Sequence, residues 1–390
     1  MTTVQTSTTT PSLARANSSS TERAGAPASA FHKLVDRVRF SYHRNYATTF
    51  ASLPPISNDR LNASLNEAPL DVWSLTKSEI LAAEEKGKTV LYLAYGSNLC
   101  KETFRGKRGI KPLSQVNVLV PELKLTFDLP GIPYSEPCFA NSAMRDPSES
   151  KPEGGSRVGG ADYHKDRWHK GLVGCVYEVT PSDYAHIIAT EGGGTAYKDI
   201  MVTCYLLPDS DTVPSSPSSP SFKAHTLFAP AADPDSTQAW GLHTRERFSR
   251  PDPSYAQPSA RYLKLITDGA SELSLPAEYQ SYLSQIRPYT ITTKKQGMGQ
   301  KIFLSTWIPF IAFVFGLQAR FQDDKGRSPK WLERLSGLLF LGMWTNYDAV
   351  YKRIFGDGER TEGQDEDAMG GQEKLGILGR REDRVSCGIV

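Results

Sequence analysis

Leu91-Tyr92-Leu93-Ala94-Tyr95-Gly96-Ser97-Asn98-Leu99 reads as a short apolar strand running into a tight Gly-Ser-Asn turn. Val90, Leu91 and Leu93 supply the β-type run, and Gly96 has access to backbone angles closed to other residues. The turn then opens a short helix over Leu99–Phe104. Such a junction leaves backbone N–H groups aimed outward, which suits it to an anion or a developing oxyanion. The same nine residues also describe an ordinary strand–turn–helix corner, and pattern alone leaves both readings open.

Outward from this corner, strands dominate. Val116–Asp128 alternates around Pro121 and predicts one or two strands. Phe139–Met144, Ile200–Leu207 and Phe222–Phe228 are further candidates, and Gly171–Val179 is the nearly continuous apolar run of a central buried strand. With helices gathered toward the end, the pattern favours an α+β architecture over a doubly wound one. The expected organisation is a disordered arm over 1–60, a catalytic domain over 61–290 with insertions at 147–165 and 208–257, an apolar helical extension over 291–355, and a disordered tail over 356–390. Low-complexity Ser/Pro runs and scattered Gly, Pro and Asp carry the loop assignments.

Thr180-Pro181-Ser182-Asp183 is a helix start: Thr180 caps, Pro181 suits the first helical position, and Asp183 meets the positive end of the dipole. Its apolar face runs Tyr184, Ile187, Ile188, and the next residue on that face is Glu191, followed at once by Gly192-Gly193-Gly194. A carboxylate in apolar surroundings has its pKa raised, as a proton shuttle near neutrality requires. A helix-terminal glutamate reaching water is the plainer alternative.

Composition narrows the class. The 390 residues carry 45 Lys and Arg against 43 Asp and Glu, a formal charge of +2, which is no electrostatic footprint for nucleic acid. Five widely spaced cysteines without a C-x-x-C pair argue against a disulfide framework or a zinc site, and Cys175 and Cys204 read as core thiols. His169 and His186 lack metal-ligand spacing, so no metal and no organic cofactor are expected. The N-terminus has no secretory apolar region, which favours the cytoplasm; a mitochondrial transit segment is a minor alternative. Gly96-Ser97-Asn98 lacks the second glycine of a nucleophile elbow, so Ser97 is read as a binding residue.

Ile302–Leu317 contains no charge and, at about sixteen residues, falls short of the roughly 20 a spanning helix needs. Pro309 is expected to kink it. Trp307, Trp331 and Trp344 are candidate interface anchors. Three readings compete: a packed two-helix extension, attachment to a membrane through 302–317, and a partner-binding surface. The terminal Cys387-Gly388-Ile389-Val390 is a poor prenylation match.

The Tyr95-Gly96-Ser97-Asn98-Leu99 turn after an apolar strand resembles the signature of the γ-glutamylcyclotransferase family. Gly171–Val179, Thr190-Glu191-Gly192 with Tyr197, Pro258–Ile266 and Leu275–Tyr279 are similar to further family segments, in the same order. The resemblance spans about half the chain, Thr89 to Pro288, and does not account for the C-terminal extension, which reads as a lineage-specific addition. It implies a small mixed barrel-like sheet with flanking helices. It further implies a fungal cyclotransferase releasing 5-oxoproline from a γ-glutamyl peptide or a glutathione-derived conjugate, in sulfur-containing secondary metabolism. In that frame Glu191 is the catalytic acid–base. Tyr92, Leu93, Ala94, Tyr95, Gly96, Ser97, Asn98, Tyr197 and Tyr262 bind the small-molecule substrate. A γ-glutamylamine cyclotransferase, or a catalytically silent scaffold or membrane-tethered binding protein on the same fold, are the alternatives. The leaving group and oligomeric state are not specified by the sequence.

Overall fold

A computed structural model of the chain describes residues 50–67, 76–146, 163–165, 167–190, 198–229, 250–321 and 328–362. All of these fall in one compact unit, Asn45–Val390.

Seven strands are described: β1 (Val90–Ala94), β2 (Ser114–Val120), β3 (Leu123–Ile132), β4 (Glu136–Met144), β5 (Leu172–Val179), β6 (Lys198–Leu206) and β7 (Ser221–Phe228). Five of them close a barrel in the order β1-β5-β2-β6-β7, while β3 and β4 form a separate two-stranded sheet. The barrel is mixed. β1 runs antiparallel to β5, with Ala94 opposite Cys175, and parallel to β7, with Tyr92 opposite His225. Leu91, Leu93, Val118, Val176 and Cys204 are fully buried. Each large apolar side chain so buried contributes roughly 1.5–3 kcal/mol, so barrel closure outweighs any single polar contact. Burial pushes the Cys175 thiol up to about 12, which makes it an unreactive core residue.

The capped helix forms as the sequence predicts. In α3 (Pro181–Thr190) the Asp183 N–H donates to Thr180 Oγ1 at 3.1 Å, and Tyr184, Ile187 and Ile188 are buried. α1 (Asn58–Ser64) and α2 (Lys77–Glu85) precede the barrel; α4 (Ala260–Glu272) and α5 (Ala277–Gln285) follow it. In place of the helix expected over Leu99–Phe104 stand a 3₁₀ turn, Ser97–Leu99, and a π-helical segment, Glu102–Lys107.

Three boundaries differ from the sequence reading. Residues 50–60, assigned to the arm, are ordered: Ile56 is buried and Ser57 caps α1. Residues 221–228, placed inside the 208–257 insertion, are β7, without which the barrel stays open. Residues 356–362, assigned to the tail, pack back onto the protein. Asp357 accepts from the Tyr255 hydroxyl, the Gln257 N–H donates to Glu359 O at 2.9 Å, and the Tyr134 N–H donates to Gly358 O at 2.8 Å. The rest of the tail, most of the 147–165 insertion and residues 1–49 lie outside the described residues.

The extension is helical. α6 (Lys294–Phe321) is 28 residues long, about 42 Å at 1.5 Å per residue, with Pro309 inside it. α7 (Lys330–Asn346), a π turn (Tyr347–Tyr351) and α8 (Lys352–Phe355) complete it. Phe303, Ile311, Met343, Trp344, Tyr347 and Tyr351 form a second core, joined by Tyr134 from the β3–β4 hairpin.

Candidate active site

The turn after β1 is held from two directions. Within it, the Leu99 N–H donates to Gly96 O at 3.0 Å and the Cys100 N–H to Ser97 O at 3.2 Å. From outside, α4 lies against it at Gly269, where a β-carbon would come within 2.4 Å of the Leu99 carbonyl carbon. Only a glycine permits that approach, so the helix and the turn are in backbone contact.

This contact delivers Tyr262 to the site. Ser259 caps α4, its Oγ accepting the Tyr262 N–H at 3.0 Å and donating to Glu136 Oε2 at 2.5 Å. The Tyr262 ring packs edge-on against Phe139, with centroids 5.0 Å apart. Its hydroxyl accepts the Ala140 N–H at 3.2 Å and lies 3.4 Å from where a β-carbon on Gly96 would stand. Gly96 itself has φ −108°, outside the left-handed region. Its ψ of −137° lies outside both the helical and the extended basins, and a β-carbon there would meet Tyr262 Oη at 3.4 Å and Ala140 Cβ at 3.6 Å, ordinary contact distances.

A cavity of about 50 Å³ opens here, lined by Tyr92, Tyr95, Gly96, Ser97, Asn98, Ala140, Thr226, Leu227 and Tyr262. That is room for one or two waters. Asn98 is buried and donates from Nδ2 to the Tyr92 hydroxyl at 2.9 Å; the Tyr95 hydroxyl donates to Leu227 O at 3.3 Å. Six of the expected site residues thus converge. Leu93 and Ala94 do not line the cavity: both are buried in the barrel wall, opposite Val176 and Cys175. Glu191 and Tyr197 lie outside the described residues. A larger cavity, about 370 Å³, sits elsewhere, between Val116–Asn117, Leu206–Ser210 and Ser274–Pro276; Asp209 is its one ionisable lining residue.

Ala140, Thr226 and Leu227 were not foreseen, because strand pairing brings them to the turn. A second unforeseen feature flanks Tyr92. The Tyr184 hydroxyl donates to Asp199 Oδ1 at 2.7 Å, and Nδ1 of His225 lies 2.9 Å from Asp199 Oδ2. The Tyr184 ring is 6.1 Å from that of Tyr92, and burial together with Asp199 raises the Tyr184 pKa well above its ordinary value. The adjacent polar pair His225-Thr226 inside an apolar strand was the available signal.

Among the described residues no cluster of three His, Cys, Asp or Glu side chains is placed to hold a metal ion. The described lining residues carry no charge and offer hydrogen bonds: backbone N–H groups at a turn, an amide and three phenols around a small cleft. Such a set holds a carboxylate or an oxyanion.

Residues 293–354 match the family described as the AclK C-terminal domain. The chain is 30% identical over 297 residues to gamma-glutamyl cyclotransferase aclK of Aspergillus oryzae, covering 70% of this chain and 92% of that one. It is 32% identical over 271 residues to gamma-glutamyl cyclotransferase gliK of Aspergillus fumigatus, covering 69% and 89%. Among solved structures, one titled gamma-glutamyl cyclotransferase is 19% identical, covers 53% of this chain and 93% of that chain, and has a TM-score of 0.34.

Proposed function

The chain belongs to the γ-glutamyl cyclotransferase family, and from that premise we propose that it converts a γ-glutamyl compound into 5-oxoproline and a free amine. The α-amine of the glutamyl group attacks its own side-chain carbonyl carbon. A carbon–nitrogen bond forms, the bond to the departing nitrogen breaks, and each proton lost by the attacking nitrogen is matched by one gained at the leaving nitrogen. No co-reactant enters the balance. Because both reacting atoms belong to one molecule, the protein need only fold the substrate and move protons, and well-oriented intramolecular reactions reach effective molarities on the order of 10⁵–10⁸ M.

The observation that carries the reading is the convergence of Tyr262 on the Gly96–Asn98 turn across a small cleft. In this reading Tyr95, Gly96, Ser97 and Asn98 hold the α-carboxylate or the oxyanion, and Tyr92 and Tyr262 wall the pocket. Glu191, one residue beyond the end of α3, takes the acid–base role that the family resemblance assigns to it. The substrate is a γ-glutamyl peptide or a glutathione-derived conjugate; the names of the Aspergillus relatives support its γ-glutamyl part.

The test is 5-oxoproline release from γ-glutamyl amino acids, glutathione, a glutathione S-conjugate and γ-glutamyl-lysine. Turnover is expected on the peptide substrates, with Glu191→Gln lowering it about 10²–10⁴-fold and leaving binding intact. Release from γ-glutamyl-lysine alone would move the protein to the amine-specific class. No release from any substrate would leave the catalytically silent scaffold.

A further inference from the structure

The far end of the α6–α7 hairpin is apolar on the outside. Phe310, Phe313, Phe321, Trp331 and Leu338 are each 50% or more exposed. They flank the connection between the two helices, and Phe321 and Trp331 pack edge-on at 5.7 Å beside it. The exposure is not one stripe. On the far half of α6 the buried positions are Ile311, Val314 and Gln318; Phe310 and Phe313 lie to one side of that line and Phe315 to the other. A flat protein surface covers one side of a helix, whereas a fluid apolar medium covers both.

The near half of α6 is occupied. Gln296 is buried and donates to Asp357 O at 2.8 Å; Gln300 donates to Tyr134 O at 2.7 Å. A β-carbon on Gly299 would stand 2.5 Å from Phe355 Cβ. Phe303 and Ile311 lie in the second core, so the portion beyond it, Ala312 to Phe321, is about 15 Å long at 1.5 Å per residue. A hydrocarbon core is about 30 Å thick, so this end is too short to span it and long enough to enter one leaflet.

Polarity at the tip follows the same logic. Gln318 Nε2 donates to Ser336 Oγ at 3.1 Å, and Ser336 Oγ donates to Leu332 O at 3.0 Å, so the polar groups between the helices pair with each other. Arg320, Lys330 and Arg334 are exposed among the aromatics, with Glu333 the acidic residue beside them among the described residues. Long basic side chains can leave their stems in an apolar layer and reach anionic headgroups.

We infer that the α6–α7 tip docks on the headgroup–acyl boundary of an anionic phospholipid bilayer, as a shallow hairpin anchor that does not cross it. The inference goes beyond the cyclotransferase reading and does not depend on it. It is tested by floating the full chain with vesicles of phosphatidylcholine alone and of phosphatidylcholine with about 30% phosphatidylserine. The protein is expected to float with the anionic vesicles, and less so as salt rises. Phe313→Glu with Trp331→Glu, both at exposed positions, is expected to lower the bound fraction roughly tenfold while the circular dichroism spectrum is unchanged. Wild type that stays unbound with both vesicle types, or a double variant that floats like wild type, overturns the proposal. A wild-type dimer that the double variant dissociates, with no flotation of either, would assign the surface to a second copy of this chain and overturn it equally.

Discussion

The hydroxyl of Tyr262 stands 3.4 Å from the β-carbon position of Gly96 while accepting the Ala140 N–H at 3.2 Å. One phenol therefore ties α4 to β4 and closes the cleft opposite the turn. The width of the site at this point is set by two residues 166 positions apart.

Gly96→Ala places a methyl at ordinary contact distance and is expected to fold and retain most turnover. Gly96→Val adds branches that must displace Tyr262 or Ala140. Displacements of about 1 Å in such sites cost on the order of 10²-fold. The comparison is kcat/KM for 5-oxoproline release across the two variants. A valine variant with wild-type constants would show that the turn does not meet substrate.

Glu278 gives the protein an acid limb. Partial burial acts to raise its pKa, but hydrogen bonds from the Lys170 ammonium, at 2.6 and 2.7 Å, and from the Val213 N–H, at 2.7 Å, hold it below its ordinary 4.5. A carboxylate whose folded pKa is depressed stabilises the fold above its unfolded pKa, and that contribution is lost as pH falls through the folded value. Urea midpoints measured downward from pH 5 should therefore fall less steeply for Glu278→Gln than for wild type. Parallel profiles would mean that the Lys170 pair does not contribute.

Arg250 joins the tail segment to the extension. Its guanidinium lies 4.2 Å over the Trp344 ring and pairs with Asp348 at 2.5 Å and Glu359 at 2.8 Å. Glu359 is buried, and burial raises its pKa against the pull of Arg250. Arg250→Met leaves that carboxylate, among the described residues, with Lys352 as its cation, 3.5 Å away, and is expected to cost up to about 3–5 kcal/mol. Glu359→Gln keeps an acceptor and should cost less. Ending the chain after Phe355 removes Asp357, Glu359 and Arg360 together and should lower the melting temperature more than either substitution. An unchanged melting temperature for the truncated chain would show the segment to be incidental.

The parts of the fold that were legible are those whose signal is local. The Thr180 cap, the apolar run of β5 and the strand entering Gly96 each depend on neighbours within a few positions. Tyr262 was reached only through the family resemblance, since on its own helix it reads as core. What escaped depends on remote partners. Gly356–Glu362 has the composition of a solvated tail, yet Arg250, Tyr255 and Gln257, about a hundred residues earlier, bind it. Residues 50–60 were misread for the same reason: Pro54, Pro55 and Asn58 suggest a loop, while Ile56 and Leu61 are anchored by the core.

The strand order also bears on how the chain acquires its structure. In β1-β5-β2-β6-β7 only β2–β5 and β6–β7 are both neighbours in the barrel and consecutive among its strands along the chain, and the β3–β4 hairpin stands between β2 and β5. Every other seam joins segments separated by long loops, and such high contact order slows folding because loop entropy is lost before pairing rewards it. β1, which presents the turn, gains its last flank only when β7 arrives. During synthesis the segment Val90–Ala94, apolar throughout, must wait until at least residue 228 has left the ribosome. At about 5–20 residues per second that is many seconds of exposure, a window in which chaperone capture competes with barrel closure.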